Sequence, residues 1–527
     1  MPTRRHALSG LAATTALLLS AGGVHADAAA LRVRTGHGPV IGFRDGGVSI
    51  FKGVRYGADT GARRFQPPVP PTPWDRPVQA LSYGAACPQN GDEPNQAEDC
   101  LFLNVWTPGA DRARRPVMVY IHGGAYATGS GSDPLYDGTR LARRGDVVVV
   151  TLNHRLNLFG YASLARLTPG FEASGNVGQL DLILALQWVR DNIAAFGGDP
   201  GRVMLFGQSG GGAKIATLMA TPAAGGLFHA VATMSGQQVT ASGPVNAERR
   251  TRAWLDALNL TPDRAAEAAA LPVERLLEAA KIQDPVLGYG GLYFGPVLDD
   301  QVLHRHPFYP DAPPQSAHIP MIIGNTREET LAFMGNDPRN AGLTWDTLPA
   351  RLTPDILRID VSPQAVIAEY RRLHPDWSPD QVLIHATTAA RSWRGAIIEA
   401  ETRAASVALV GGAPTWVYQL DFPGELANGR RGAFHTADIP LVFDNVAAEG
   451  SRTRGPGAQE VADRMADAFI ALARSGDPNH PGLPRWAPYG LERRQTMLFD
   501  VDSRMADDPR RDERRFFARI PYVQPGT

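Results

Sequence analysis

The sequence predicts an α/β fold: a large, mostly parallel central sheet flanked by helices, with helical insertions roofing one end. Three observations carry this expectation. From about residue 31 onward, apolar β-rich runs alternate with helical patterns. The stretch Gly207-Gln208-Ser209-Gly210-Gly211 follows a short apolar strand and opens a helix, which is the form of a sharp elbow. Residues that could serve a single reaction are scattered over most of the 527 positions, so one large domain over 27–527 is favoured above the three or so that length alone suggests.

The chain begins unlike the rest. Arg4 and Arg5 precede an apolar, small-residue stretch over 7–23, and Val24-His25-Ala26 has the small-x-small form of a cleavage site. Residues 1–26 are therefore expected to be a signal peptide, and the mature chain secreted or periplasmic. Thr3-Arg4-Arg5-His6-Ala7-Leu8 also fits a twin-arginine signal. The apolar stretch is too short and weak for a stable membrane anchor. Only two cysteines occur, Cys87 and Cys100. Outside a reducing compartment such a pair is expected to be a disulfide, and closing so short a loop is worth roughly 3 kcal/mol. A metal site would need further ligands nearby, and none is evident.

The elements follow in order. Residues 116–121 form a buried strand that ends at His122-Gly123-Gly124. Residues 147–152 are too continuously apolar to be half exposed. Over 178–195 a helix places Leu182, Ala185, Leu186, Val189 and Ile193 on one face, and Gly197-Gly198-Asp199-Pro200 stops it. A strand over 202–206 leads into the elbow and a helix to 219. Later strands are expected at 230–234, 319–324 and 415–421, with insertions near 242–318 and 335–410. A helix over 459–474 turns Val461, Met465, Ala468, Phe469 and Leu472 inward, a packing stripe.

Fifty-two basic residues face fifty-three acidic ones, with no long run of one sign. That balance argues against a nucleic-acid partner.

The chemistry centres on the elbow. A turn this sharp holds Ser209 in a strained conformation, above a helix N-terminus that favours developing negative charge. His122-Gly123-Gly124-Ala125, at a strand end, can turn backbone N–H groups inward. The N–H groups of Gly124, Ala125 and Gly210 are the expected oxyanion donors, each worth on the order of 10²–10³ in rate. A serine hydroxyl also needs an oriented base. The strand over 319–324 runs into Asn325-Thr326-Arg327-Glu328-Glu329, which offers two glutamates. For the base, His435 competes with His374, His385 and His480, and its place after the last long strand favours it.

At this point the chain resembles the type-B carboxylesterases, the family that includes cholinesterases, bacterial para-nitrobenzyl esterases and some fungal lipases. The likeness lies in Phe51-Lys52-Gly53-Val54, Arg64-Phe65-Gln66-Pro67-Pro68, Cys87-Pro88-Gln89, Glu98-Asp99-Cys100-Leu101-Phe102-Leu103-Asn104-Val105, the elbow and the residues before it from 192, and Arg474-Ser475-Gly476-Asp477-Pro478-Asn479. It implies an α/β-hydrolase fold and a Ser209–His435–Glu329 triad, with Glu329 and not Glu328 as the acid. It also implies an oxyanion hole of Gly124, Ala125 and Gly210, a supporting Ser235, a Cys87–Cys100 disulfide, and a buried ion pair between Glu98 and Arg155. The family usually has glutamate where Gln208 stands and alanine where Gly210 stands. Gln208 removes a negative charge beside the nucleophile, which weakens any preference for cationic esters. The loop between the cysteines lacks the tryptophan that cholinesterases present to choline.

Together these residues imply two-step hydrolysis of a small-molecule ester through an acyl-enzyme, with no metal or organic cofactor. A lipase or an amidase would use the same triad. A binding or adhesion module of this fold would have lost it.

Overall fold

The computed structural model describes residues 31–524 and 526; the expected signal peptide lies outside them. The strands are Leu31–Arg34 (β1), Pro39–Asp45 (β2), Val48–Arg55 (β3), Val78–Gln79 (β4), Phe102–Thr107 (β5), Arg115–Ile121 (β6), Val148–Leu152 (β7), Gly198–Gln208 (β8), Ala230–Met234 (β9), Met321–Thr326 (β10), Thr415–Leu420 (β11), Gly424–Glu425 (β12), Arg431–Gly432 (β13), Gln495–Phe499 (β14) and Arg504–Asp507 (β15). All but β12 and β13 join one sheet, in the order β1-β2-β3-β5-β7-β6-β8-β9-β10-β11-β14-β15, with β4 on β2. From β7 to β14 every neighbouring pair is parallel. The margins are antiparallel: β1, β2, β3 and β5 on one side, β15 on the other.

Burial explains the composition of the central strands. Both sheet faces are covered, so β7 reads Val-Val-Val-Thr-Leu with every residue buried. One face packs on the helix Val177–Asn192, through Leu182, Ala185, Leu186 and Val189. The other packs on the helix Ala458–Ser475, whose Val461, Met465, Ala468, Phe469 and Leu472 meet Phe206, Tyr418 and Phe499. Each large side chain so buried contributes roughly 1.5–3 kcal/mol of transfer free energy.

The elbow strand is longer than its apolar run. Gly197, in the left-handed region at φ 81°, ends the preceding helical turn, and β8 begins at Gly198. The residues expected only to stop a helix therefore also start a strand. The antiparallel margins carry no continuous apolar run: Ser49 and Lys52 interrupt β3, and Asn104 interrupts β5.

One expectation is corrected. Glu98 and Arg155 do not pair with each other. Glu98 binds Arg64 at 2.5 Å, and Arg155 binds Asp181 at 2.7 Å, with both members of the second pair buried. A motif marks a buried charge, but the partner depends on which helix packs over it. Asp181 comes from the helix Val177–Asn192, outside the motif.

Cys87 and Cys100 are both buried, and both are free thiols. They lie side by side: contact with Cys87 and burial push the Cys100 thiol well above its ordinary pKa. Among the described residues no helix is long and apolar enough to cross a membrane.

Candidate active site

The carboxyl ends of β6, β8, β9 and β10 meet at one cavity of about 660 Å³. Ser209 stands there between β8 and the helix Gly210–Met219, with φ 56° and ψ −126°. Its N–H donates to Met234 O at 2.7 Å, which ties the turn to β9. Two positions after it, at Gly211, only glycine fits. A Cβ at Gly211 would collide with the Ile121 carbonyl, so a side chain there would push the helix off the sheet.

The oxyanion loop leaves β6 through His122. Gly124 and Ala125 both lie at positive φ, 80° and 53°, and the turn closes with Ala127 and Thr128 N–H groups donating to Gly124 O. Among the described residues no acceptor takes the N–H groups of Gly124, Ala125 or Gly210. Three donors facing one cavity without partners are the arrangement an oxyanion requires. The loop presses hard on the elbow: a Cβ at Gly210 would lie 2.5 Å from the Ala125 carbonyl carbon and Cα.

Lys214 holds this loop from below, and sequence reasoning missed it. Its Nζ donates to His122 O at 3.1 Å, and burial pushes its pKa down to about 7. The available signal was a lone charge in an otherwise apolar helix, Gly210–Met219.

The two glutamates after β10 divide their work. Glu329 Oε2 lies 2.5 Å from His435 Nδ1, and its Oε1 accepts from Thr326 N at 2.7 Å and Asn325 Nδ2 at 3.2 Å. Burial raises the Glu329 carboxyl, but the His435 charge and hydrogen bond outweigh it, with help from Ser235 and the Thr326 N–H. The net result lies below the usual carboxylate range. Ser235 thus faces the carboxylate, although its hydroxyl sits outside ideal hydrogen-bond geometry. Glu328 instead fixes the histidine loop. Its Oε2 accepts from Ala433 N at 2.6 Å, and its own N–H donates to Ala433 O at 2.8 Å.

His435 lines the same cavity as Ser209, though no hydrogen bond joins them here. Such contacts commonly tighten only when substrate binds. The amide nitrogen of Gln208 lies 3.4 Å from Nδ1 and 3.2 Å from Nε2 of the imidazole. Phe333 packs on the same ring at 5.2 Å between centroids. The other candidate bases lie elsewhere. His374 and His385 sandwich Trp377, and His480 bonds the Arg464 carbonyl. Arg358 and Arg391 also line the cavity. They arise from the second insertion, where no motif announces a role.

A serine at a strained elbow over a mostly parallel sheet, at the carboxyl ends of its strands, defines an α/β hydrolase. The chain belongs to the carboxylesterase family, whose match covers residues 29–517. Among its relatives, the para-nitrobenzyl esterase of Bacillus subtilis (strain 168) is 34% identical over 498 residues, covering 92% of this chain and 97% of the other. A phenmedipham hydrolase of Pseudarthrobacter oxydans is 32% identical over 477 residues, covering 86% and 91%. A crystal structure of a Geobacillus stearothermophilus carboxylesterase superposes with a TM-score of 0.81 at 35% identity, covering 92% of this chain and 99% of that one. The protein is a carboxylic ester hydrolase acting on small-molecule esters.

Proposed function

We propose that this esterase works through Ser209, His435 and Glu329 by an acyl-enzyme. His435, held through Nδ1 by Glu329, takes the Ser209 proton on Nε2 as Oγ attacks the ester carbonyl. The carbonyl oxygen becomes an oxyanion against the N–H groups of Gly124, Ala125 and Gly210. The proton then passes from His435 to the departing alcohol. Water, deprotonated by the same imidazole, attacks the acyl-enzyme, and the tetrahedral adduct collapses to release the acid and restore Ser209. Ser235 steadies the Glu329 carboxylate.

The single observation behind this reading is the 2.5 Å contact between Glu329 and His435 in the cavity that also holds the strained Ser209 and three unpartnered N–H groups. Ser209→Ala is expected to lower turnover of a para-nitrophenyl acyl ester roughly 10⁶-fold. Near-native turnover in a folded Ser209→Ala protein would sink the assignment.

We also propose that residues 1–26 direct export and are removed, and that Cys87 and Cys100 join once outside the cell. The form of the leader and the adjacency of the two sulfurs support this. N-terminal sequencing and non-reducing peptide mapping of the secreted protein check both. A retained leader, or two thiols still titratable after export, would refute the corresponding half.

A further inference from the structure

The catalytic cavity holds two cations that ester hydrolysis itself does not use. Arg358 and Arg391 line it alongside Ser209 and His435. Among the described residues, no carboxylate forms an ion pair with either guanidinium and no acceptor takes a hydrogen bond from either. Three arginines buried elsewhere are ion-paired: Arg155 with Asp181 at 2.7 Å, Arg250 with Asp284 at 2.6 Å, Arg510 with Glu513 at 2.6 Å. The two cavity arginines act on each other instead. Burial, and then the charge of Arg358, bring Arg391 down to about 10.

The surrounding charges do not compensate. Glu329 is spent on His435. Behind the lining, Glu399 is fully buried and accepts from Gln238 N at 2.7 Å; burial holds its carboxyl up at about 8, so it stays largely neutral. Gln208 contributes no charge beside the nucleophile. At neutral pH the cavity is therefore positive.

The backbone beneath both arginines is unusual as well. Arg391 sits in a single π-helical turn, Ala389–Trp393, a feature frequent at functional sites. Arg358 follows the helix Pro354–Leu357 in the left-handed conformation, φ 60° and ψ 27°, which an L-residue adopts only under strain. Two like charges, partly desolvated and unpaired, persist against a free-energy cost on their own. A ligand that neutralises them removes that cost.

We propose that Arg358 and Arg391 form a carboxylate-binding subsite within the catalytic cavity, and that the preferred substrates are esters bearing a free carboxylate of their own, such as half-esters of dicarboxylic acids. Guanidinium groups suit this task because their paired N–H donors match a carboxylate bidentately. Tyr126, Tyr293 and Phe333 supply apolar wall for the chain that joins ester to carboxylate. This inference rests on the Ser209 hydrolase reading.

The test compares monomethyl adipate with dimethyl adipate as substrates of the mature protein. The wild type is expected to favour the half-ester in kcat/KM by about tenfold or more, with the preference shrinking as salt screens the charges. Arg391→Gln and Arg358→Gln should each lower the ratio about tenfold, and Arg391→Lys should retain part of it. Free adipate should inhibit the wild type competitively, and adipamide should not, which gives a readout that needs no variant. A wild-type ratio at or below one, or a ratio that neither glutamine variant moves, overturns the subsite. If dimethyl adipate is cleaved in a Ser209-dependent way without any half-ester preference, the subsite fails while the hydrolase reading stands. If neither adipate ester is cleaved while a para-nitrophenyl ester is, the subsite fails and the hydrolase reading stands; if Ser209→Ala leaves para-nitrophenyl ester turnover near native, both fail.

Discussion

Among the described residues, one hollow is larger than the one that holds the serine. The cavity lined by Arg327, His374, Trp377, His385 and Glu513 has about 780 Å³, against about 660 Å³ around Ser209. Around the larger one, four arginines face five carboxylates: Arg510 pairs with Glu513 and Arg511 with Asp508 at 3.5 Å, whereas among the described residues Arg327 and Arg504 form no ion pair. Its imidazoles are spent. His374 stacks on Trp377 at 3.6 Å, and burial keeps His385 neutral with a pKa of about 3. Only the smaller of these two combines unpartnered amide hydrogens with a nucleophile in a strained turn. Chemical capacity left unused, and not volume, distinguishes a reactive cavity from a structural one.

Three substitutions probe that contrast, in descending order of expected effect. Gly210→Ala places a Cβ against Ala125, so the oxyanion loop must retreat. A fall in kcat of roughly tenfold to hundredfold is expected, with KM little changed, by steady-state kinetics on a para-nitrophenyl ester. Unaltered kcat would mean that the donors are not set by this contact.

Glu399→Gln tests the neutral carboxyl behind the cavity. The folded state holds this proton up to about 8, whereas the ordinary value is 4.5. Between those values the unfolded chain has lost a proton that the folded chain keeps, so rising pH favours unfolding. The variant should be more stable than wild type at pH 8, on the order of 1–3 kcal/mol, and indistinguishable near pH 4. Thermal melts across that range check it, and a gap that does not grow with pH would show that Glu399 is already ionised.

His374→Ala should do least. Losing the stack on Trp377 costs about 1 kcal/mol of stability, while kcat/KM stays within about twofold. A tenfold loss of activity in a protein that still melts normally would bring the larger cavity into the reaction.

Much of this was legible in the sequence because backbone constraints leave short, dense traces. The elbow glycines and the continuously apolar β7 are dictated by close approach and two-sided burial, and each fits within a dozen residues. His435 was less legible: a lone histidine has no pattern, and only chain order and family resemblance separated it from His374, His385 and His480. The pairing of Glu98 was misassigned because partnership is settled by tertiary packing that no local window contains. Arg358 and Arg391 left no trace at all. Their significance lies in what is missing around them, and an absent neighbour is invisible until the insertion is folded over the sheet.

The tie between Ser209 N and Met234 O has a consequence for how the enzyme fails. That amide belongs to the middle of a parallel array whose strands are joined only through long crossovers, so exposing it to solvent requires dismantling the array as a whole. Its deuterium uptake should track global unfolding, and heat inactivation should coincide with loss of the sheet instead of preceding it.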